Sequence, residues 1–215
     1  MQLIGMLDSP YVRRTAISLQ LLGLRFEHRS LSVFSTFEQF KEINPVVKAP
    51  TLVCDDGEVL MESTLIIDYA EALAAPRKSL MPAVVKERQH ALRVIGLALA
   101  ALDKGVQIVY ERNMRPAEKL HAPWVDRVSG QVLAALDLLE AELKANPLAV
   151  TSDAMTQAGV SVAVTWHFLL QMIADVVPVA PYPQLQAFSR QAELLVEFKA
   201  APFGDGTYHN PDKPV

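Results

Sequence analysis

The stretch QLIGMLDSPYVR, residues 2–13, decides how the N-terminal part of this 215-residue chain folds. Its apolar run, residues 2–7, predicts a short buried strand that stops at Asp8. Ser9-Pro10 then predicts a helix start, because serine caps helix N-termini and proline fits the first helical position. The apolar residues that follow recur at helical spacing, and Gly23 predicts the end of this helix.

Strands and helices continue to alternate as far as residue 74. The pattern predicts strands over residues 26–31, 50–54 and 58–61, and helices over residues 36–43 and 63–74. The turn Asp55-Asp56-Gly57 joins the last two strands and predicts a hairpin. The last helix carries four large apolar residues on one side, Leu65, Ile66, Tyr69 and Leu73. The order βαβαββα predicts a mixed sheet, because a crossover helix joins a parallel pair and a hairpin joins an antiparallel one.

Beyond a linker over residues 76–84, the pattern predicts helices alone. They are expected over residues 85–110, 123–145 and 160–173, with one or two more over residues 184–199. The second of these helices is predicted to bury one apolar face, formed by Val128, Val132, Ala135, Leu136, Leu139 and Leu143. Residues 154–174 hold no acidic or basic side chain, but their polar groups would be costly in a membrane. This stretch is therefore predicted to be the buried central helix of a bundle. The predicted domains are an α/β domain, residues 1–75, and an all-helical domain, residues 85–215.

Composition narrows the class of protein further. The chain is 51% hydrophobic and 20% charged, which is typical of a globular protein. Its net charge of −4 offers no basic field for nucleic acid. Cys54 is the only cysteine, so an internal disulfide is excluded. The first residues lack the basic region of a signal peptide, which predicts a cytoplasmic protein.

Two strand-to-helix turns in the N-terminal part carry hydroxyl groups that could bind an anion. Ser9 would lie at the positive end of a helix dipole, where its hydroxyl either caps the helix or donates to a bound anion. Glu62-Ser63 ends a strand and opens a helix, so its backbone amides and hydroxyl favour a carboxylate. At both turns an ordinary helix cap is the alternative interpretation.

The segment Lys48-Ala49-Pro50 is a third candidate for binding. Proline begins a strand here, and the sequence leaves its isomer open. If the bond is cis, Ala49 would present its backbone N–H and C=O to a peptide-like ligand. Lys48 could hold a carboxylate, or it could be a solvated surface lysine.

In their order and spacing, these three segments resemble the glutathione transferase superfamily. The stretch 9–13 is similar to the serine-type active-site segment of tau-like and many bacterial members. Residues 44–51 resemble the segment with the family's cis-proline, and Glu62-Ser63 resembles its γ-glutamyl-binding pair. The likeness covers essentially the whole chain and implies a thioredoxin-like N-terminal domain followed by an all-helical C-terminal domain. Two departures are Val47, where glycine often precedes the lysine, and Gly159, where the family's capping box has an acidic residue.

The resemblance implies a glutathione transferase that activates the glutathione thiol for attack on a small hydrophobic electrophile. Glutathione would be the co-substrate, and no metal would be needed. The implied roles are a thiolate hydrogen bond from Ser9, a backbone pairing at Ala49 before cis-Pro50, a glycyl carboxylate near Lys48, and γ-glutamyl contacts at Glu62 and Ser63. It also implies a cytoplasmic homodimer that acts in detoxification, with neither nucleic acid nor a membrane as partner.

Alternatives stay open at this stage. Tyr11 could replace Ser9 as the hydroxyl donor. Candidates for the electrophile pocket are Tyr110, Arg112, Trp166 and Phe203, although core packing also fits Trp166. A binding or partner-docking module, similar to stringent starvation protein, or a glutathione-dependent isomerase would have the same fold. A disulfide-bond reductase is disfavoured, because such enzymes usually carry cysteine at the position of Ser9.

Overall fold

The computed structural model describes residues 1–208, which pack as two compact units. The first unit contains Met1–Leu80, Thr151–Met155 and the segment that starts at Leu194. The second contains Met81–Val150 and Thr156–Glu193. The domain boundaries expected from the sequence stay a prediction. The compact units divide the chain partly differently, because the segment from Leu194 joins the first unit.

The first unit is built on the mixed four-stranded sheet that the sequence predicts. Its elements are β1 (Gln2–Ile4), α1 (Pro10–Leu21), β2 (Glu27–Arg29), α2 (Phe37–Ile43), β3 (Thr51–Val53), β4 (Val59–Met61) and α3 (Ser63–Ala74). The strand order is β2-β1-β3-β4. β1 pairs with β2 in parallel and with β3 antiparallel, and β3 pairs with β4 antiparallel. The predicted thioredoxin-like βαβαββα order is confirmed.

Helix α1 begins where the sequence predicts, with Ser9 as its cap and Pro10 at its first position. Its turn at Gly23 has φ +71°, a conformation that glycine adopts readily. The core between the sheet and helices α1 and α3 consists of fully buried apolar side chains, among them Leu3, Ile4, Val12, Ala16, Leu52 and Ile66.

The side of α3 that faces the core differs from the prediction. Its buried apolar residues are Ile66, Ile67, Ala70 and Ala74. Leu65 is 63% exposed and Leu73 is 39% exposed. The small alanines let this helix pack closely on its buried face, and the larger leucines therefore lie outside. The position of the largest apolar residues therefore did not predict which face of α3 is buried.

A final short helix, α8 (Val196–Ala200), also belongs to the first unit. Gln20 donates from Nε2 to the carbonyl of Glu197 at 3.0 Å, which ties α8 to α1. Arg13 is 1% exposed, and its guanidinium lies over the ring of Phe198 at 5.8 Å. The buried arginine therefore joins α1 to the end of the chain.

The second unit consists of helices, as predicted. They are α4 (Val85–Asn113), α5 (Ala122–Ala145), α6 (Gln157–Met172) and α7 (Pro183–Ala192), with a short 3₁₀ turn over Ala117–Lys119. The predicted apolar face of α5 is buried in full, from Val128 to Leu143. Gly105 of α4 lets α6 approach closely, because a Cβ there would lie 2.4 Å from the side chain of Leu169.

Helix α6 is the buried central helix of this unit, as predicted, and nearly all of its first thirteen residues are buried. Thr156 caps it through its hydroxyl, which accepts the N–H of Gly159 at 3.2 Å. Glycine cannot return the bond that an acidic residue would make, so only half of a capping box is present. Within residues 1–208, no helix combines the length and the apolar content that a membrane crossing needs.

Candidate functional site

Strand register brings the three sequence segments to one end of the sheet. Ile4 of β1 is paired with Thr51 of β3, and Thr51 is also paired with Met61 of β4. The loop to Ser9 leaves the sheet directly after Ile4, and Glu62 follows Met61. Residues 48–50 enter the sheet directly before Thr51. All three candidate segments therefore lie at this edge, called here the Ile4 end of the sheet.

Ser9 performs one of the two functions that the sequence left as alternatives, and its geometry is compatible with the other. It is half-buried, and its Oγ accepts the backbone N–H of Val12 at 3.4 Å as the cap of α1. A serine hydroxyl has one proton to donate besides its acceptor lone pairs. Capping therefore fixes the position of the oxygen and leaves the proton available for a ligand. The helix dipole favours negative charge at the same place.

A network of hydrogen bonds holds the loop before β3. Asn44 is 2% exposed, and its amide accepts the N–H of Val46 at 3.0 Å and donates to Thr51 Oγ1 at 2.8 Å. Thr51 in turn donates to the carbonyl of Lys48 at 2.7 Å. These bonds fix the shape of the loop, and the ammonium group of Lys48 stays exposed to solvent.

The Ala49–Pro50 peptide bond is cis, the isomer that the sequence left open. Pro50 is buried and Ala49 is half-buried. Among residues 1–208, no hydrogen bond joins the backbone N–H or C=O of Ala49 to another residue. Both groups are available for an extended peptide ligand.

Val47 adopts a left-handed conformation with φ +52°, which disfavours a β-branched side chain. We expect Val47→Gly to raise the free energy of unfolding by about 0.5–1 kcal/mol, because relief of about 1–2 kcal/mol outweighs glycine's entropy cost. Urea denaturation measures this as a higher midpoint at an unchanged slope. Val46 has no positive φ, so Val46→Gly is the matched control and should lower stability. A lower midpoint for Val47→Gly would contradict the prediction.

Glu62 caps α3 with its own carboxylate. Its φ is +74°, and Oε2 accepts the backbone N–H groups of Thr64 at 3.1 Å and Leu65 at 3.3 Å. Ser63 donates from Oγ to Glu62 Oε1 at 3.3 Å. Two of the amides that the sequence offered to a bound carboxylate are thus already used. The Ser63 N–H makes no hydrogen bond to another described residue and stays available.

Arg14 is a member of this site that sequence reasoning missed. Its side chain is 1% exposed, and Nη1 donates to Ser63 Oγ at 2.9 Å and to Thr64 Oγ1 at 3.3 Å. Burial lowers the pKa of Arg14 to about 10, and the charge of Glu62 opposes that fall. The guanidinium therefore stays charged at neutral pH and places a buried positive charge behind the start of α3.

Other residues that the sequence singled out lie elsewhere. Cys54 is 7% exposed and follows β3 at the opposite end of the sheet from Ile4. Trp166 is 2% exposed and belongs to the core of the second unit. Arg112 pairs with Asp175 at 2.9 Å, whereas Tyr110 is 46% exposed. Residues 1–208 contain no group of three or more His, Cys, Asp or Glu side chains placed to hold a metal ion.

Comparison with known proteins gives consistent matches. Residues 3–78 match the family model described as glutathione S-transferase, N-terminal domain. A probable maleylacetoacetate isomerase of Caenorhabditis elegans is 30% identical over 194 residues, which cover 87% of this chain and 86% of the relative. The GST-like protein YibF of Escherichia coli is 28% identical over 170 residues, 79% of this chain and 82% of that protein.

A solved structure extends the likeness to three dimensions. A glutathione transferase family member from Pseudomonas fluorescens Pf-5, with bound glutathione, superposes with a TM-score of 0.81 at 28% identity. The match covers 93% of this chain and 97% of that chain. The thioredoxin-like sheet and the helical part are thus both found in one protein that binds glutathione.

Proposed function

Because this chain belongs to the glutathione transferase superfamily, we propose that it activates the glutathione thiol as a thiolate for attack on a small hydrophobic electrophile. The observation that carries the proposal is the strand register. It brings the segments with the Ser9 hydroxyl, the Ala49 backbone and the Glu62 carboxylate to the Ile4 end of the sheet.

The proposed roles follow the chemistry of each group. Ser9 donates its hydroxyl hydrogen bond to the sulfur. Ala49 pairs through its backbone with the cysteinyl unit, since neither its N–H nor its C=O bonds to another described residue. Lys48 lies near the glycyl carboxylate. Glu62 and Ser63 hold the γ-glutamyl amino and carboxylate groups, and the Ser63 N–H supplies the free donor.

The energies are sufficient for this activation. A thiol with a pKa near 8.5 is only a few per cent ionised at pH 7. A hydrogen bond to a charged acceptor is worth about 1.5–3 kcal/mol, which lowers the thiol pKa by roughly one to two units. The N-terminus of α1 adds about 0.3–1 kcal/mol in the same direction. Ser9 and its helix can thus ionise much of the bound thiol at neutral pH.

A glutathione-dependent isomerase is the second candidate. It is favoured by the similarity to the probable maleylacetoacetate isomerase, which extends over 87% of this chain. An isomerase would use the same thiolate, add it to an unsaturated acid and release it after the bond has rotated. Turnover of such an acid without consumption of glutathione distinguishes the isomerase from the transferase.

Binding and turnover together test the proposal. Calorimetry with glutathione should detect binding at millimolar concentration or below. A panel of electrophiles, including activated aryl chlorides, alkyl halides and unsaturated carbonyl compounds, should then reveal at least one substrate. Failure to bind glutathione would contradict the proposal and favour a partner-docking role. Binding without turnover of any electrophile or unsaturated acid would favour a glutathione-binding protein.

We also propose that the protein is a cytoplasmic homodimer that acts in detoxification. Exposed apolar side chains support the dimer: Leu65 is 63% exposed on α3, and Val85 is 82% and Leu92 54% exposed on α4. Size-exclusion chromatography with light scattering should give twice the chain mass of 23.7 kDa. Leu65→Lys should shift the protein towards monomer, whereas Leu194→Lys, at a leucine that is 65% exposed, is the control. A mass near one chain for the wild type would contradict the dimer.

A further inference from the structure

After α8 the chain returns across the first unit as residues 201–208, called here the C-terminal strap. Two hydrogen bonds hold its first part. Arg13 donates from Nε to the carbonyl of Ala201 at 2.8 Å, and Ser30 donates from Oγ to the carbonyl of Asp205 at 2.7 Å. Ser30 directly follows Arg29, which pairs with Ile4, so the strap reaches the Ile4 end of the sheet.

His28 links the last part of the strap to the sheet. The N–H of Tyr208 donates to His28 Nδ1 at 2.9 Å, and the ring of Tyr208 stacks on Phe26 at 4.5 Å. On its other side, His28 Nε2 is 2.7 Å from the carbonyl of Gly5. A backbone N–H can only donate and a carbonyl can only accept. The ring is therefore neutral, with its proton on Nε2.

The carbonyl that His28 holds belongs to a tightly enclosed residue. Gly5 has φ +134°, and a Cβ there would lie 2.6 Å from Val12 Cγ2 and 3.2 Å from Ala49 Cβ. Val12 donates the N–H that caps α1 at Ser9. Gly5 thus lies between the partner of Ser9 and the residue with the open peptide edge, where there is no room for a side chain. Its backbone is the route from His28 to both.

We propose that neutral His28 is a positioning residue for the thiol site, and that its protonation releases the C-terminal strap and weakens glutathione binding. The proposal rests on the proposed function for its effect on glutathione, but the coupling of His28 to the strap stands independently. A protonated ring carries N–H on both nitrogens. Its Nδ1–H would then face the N–H of Tyr208, donor against donor, and that bond would be lost. The Nε2–H would still donate to Gly5, so the effect on glutathione follows from a ring that is no longer held from both sides.

Other titratable groups lie on the elements around His28. Among the described residues they are Glu27 and Arg29 on its own strand, Asp8 after β1, and Asp205 and Tyr208 on the strap. Loss of water around its carboxylate raises the pKa of Asp8, and the neighbouring charge of Asp205 raises it further. Their repulsion opposes the docked strap at neutral pH. Protonation of these carboxylates at low pH would relieve this repulsion and favour the docked strap. Protonation of His28 has the opposite effect, because it releases the strap.

The expected pH dependence follows from the neutral ring. Burial lowers the pKa of His28 below its ordinary value near 6.5. At pH values between the lowered pKa of the docked state and the ordinary pKa near 6.5, the unfolded or released chain binds more protons than the docked chain. The contribution of the docked strap is therefore fully present above about pH 6.5 and is lost as the pH falls through the lowered pKa.

Hydrogen exchange of the strap without glutathione tests the coupling directly. In the wild type, the Tyr208 amide should be protected at about pH 7.5 and should lose this protection as the pH is lowered below about 6.5, after correction for the intrinsic rate. His28→Phe, whose ring neither titrates nor accepts this hydrogen bond, should lack this protection at both pH values. His121→Phe, at an exposed histidine of the second unit, is the matched control and should behave as the wild type. Protection that survives in His28→Phe would overturn the proposal.

Kinetics then test the effect on the thiol site. His28→Phe, which removes both hydrogen bonds of the ring, should raise the KM for glutathione about three- to tenfold at about pH 7.5, with kcat within about twofold, and the rise should not grow at lower pH. In the wild type, KM should rise only as the pH falls. Asp205→Asn should keep the wild-type direction of the pH response, and loss of that response would assign it to the carboxylates instead. A wild type that binds no glutathione would refute the proposed function, whereas the exchange result would still decide the coupling.

Discussion

Ser9→Ala should lower turnover of an activated aryl chloride about ten- to thirtyfold at neutral pH, because the bound thiol returns to a pKa near 8.5. Binding of glutathione should change little, since the other contacts of the tripeptide remain. The pH–rate profile is the decisive measurement. Its acid limb should move up by about one to two pH units in the variant, and the two rates should converge near pH 9, where both thiols are ionised.

The cap of α1 complicates this variant, since alanine removes it as well as the hydroxyl. Loss of a serine cap costs about 1 kcal/mol of stability, whereas glycine at the same position costs only a few tenths. Ser9→Gly therefore isolates the hydroxyl: it should lose turnover as alanine does while unfolding near the wild-type midpoint. Ser9→Thr should retain much of the rate. If both Ser9→Ala and Ser9→Gly had the pH–rate profile of the wild type, Ser9 would not be the activating group. Tyr11 would then be the candidate hydroxyl donor.

The local features of this site could be predicted from the sequence because they depend on neighbouring residues. Ser9-Pro10 specifies a helix start from two adjacent positions, and the alternation of short apolar runs specifies the strands. The apolar face of α5, from Val128 to Leu143, was predicted in full. The apolar residues of that helix recur three or four positions apart, and polar residues such as Asp126, Gln131 and Asp137 lie between them, so the pattern defines one face.

Contacts between segments that lie far apart in the sequence could not be predicted from local sequence patterns. Arg14 stands next to Arg13 on a helix whose core side is apolar, and nothing in the sequence says which arginine faces α3. Its partner Ser63 lies 49 positions away. The sequence left open which residue caps α3, whereas the structure assigns the cap to the carboxylate of Glu62, because the positive φ of that residue turns its side chain back over the helix.

The packing of the segment after α7 could not be predicted from local sequence patterns either. Helical spacing predicted one or two helices over residues 184–199 but could not tell that the second, α8, packs with the first unit. That packing depends on the buried Arg13 beneath Phe198, a contact across 185 positions. The strap and its hydrogen bond to His28 follow from this placement. His28 has no spacing typical of a metal ligand, so the sequence gave no indication of the strap or of this hydrogen bond.

The buried arginine should control both stability and the γ-glutamyl contacts. Arg14→Met keeps the bulk of the side chain but removes the donors to Ser63 and Thr64 and leaves Glu62 without its buried cation. Each lost hydrogen bond to a charged group is worth about 1.5–3 kcal/mol, and part of this is offset because the guanidinium no longer has to be desolvated. We expect the free energy of unfolding to fall by about 2 kcal/mol in urea denaturation.

Glutathione binding separates a role in the site from a role in folding alone. Arg14→Met should raise the dissociation constant about tenfold or more in calorimetry below the unfolding transition, because Ser63 and Glu62 lose their fixed geometry. Arg14→Lys keeps the positive charge but lacks the planar guanidinium, so its dissociation constant should lie between those of the wild type and Arg14→Met. Arg25→Met, at an exposed arginine of the same unit, is the matched control. Since Arg14 acts through Glu62, the double variant with Glu62→Gln should lose less affinity than the two single losses combined. Additive losses would mean that the arginine supports the fold and not the γ-glutamyl contacts.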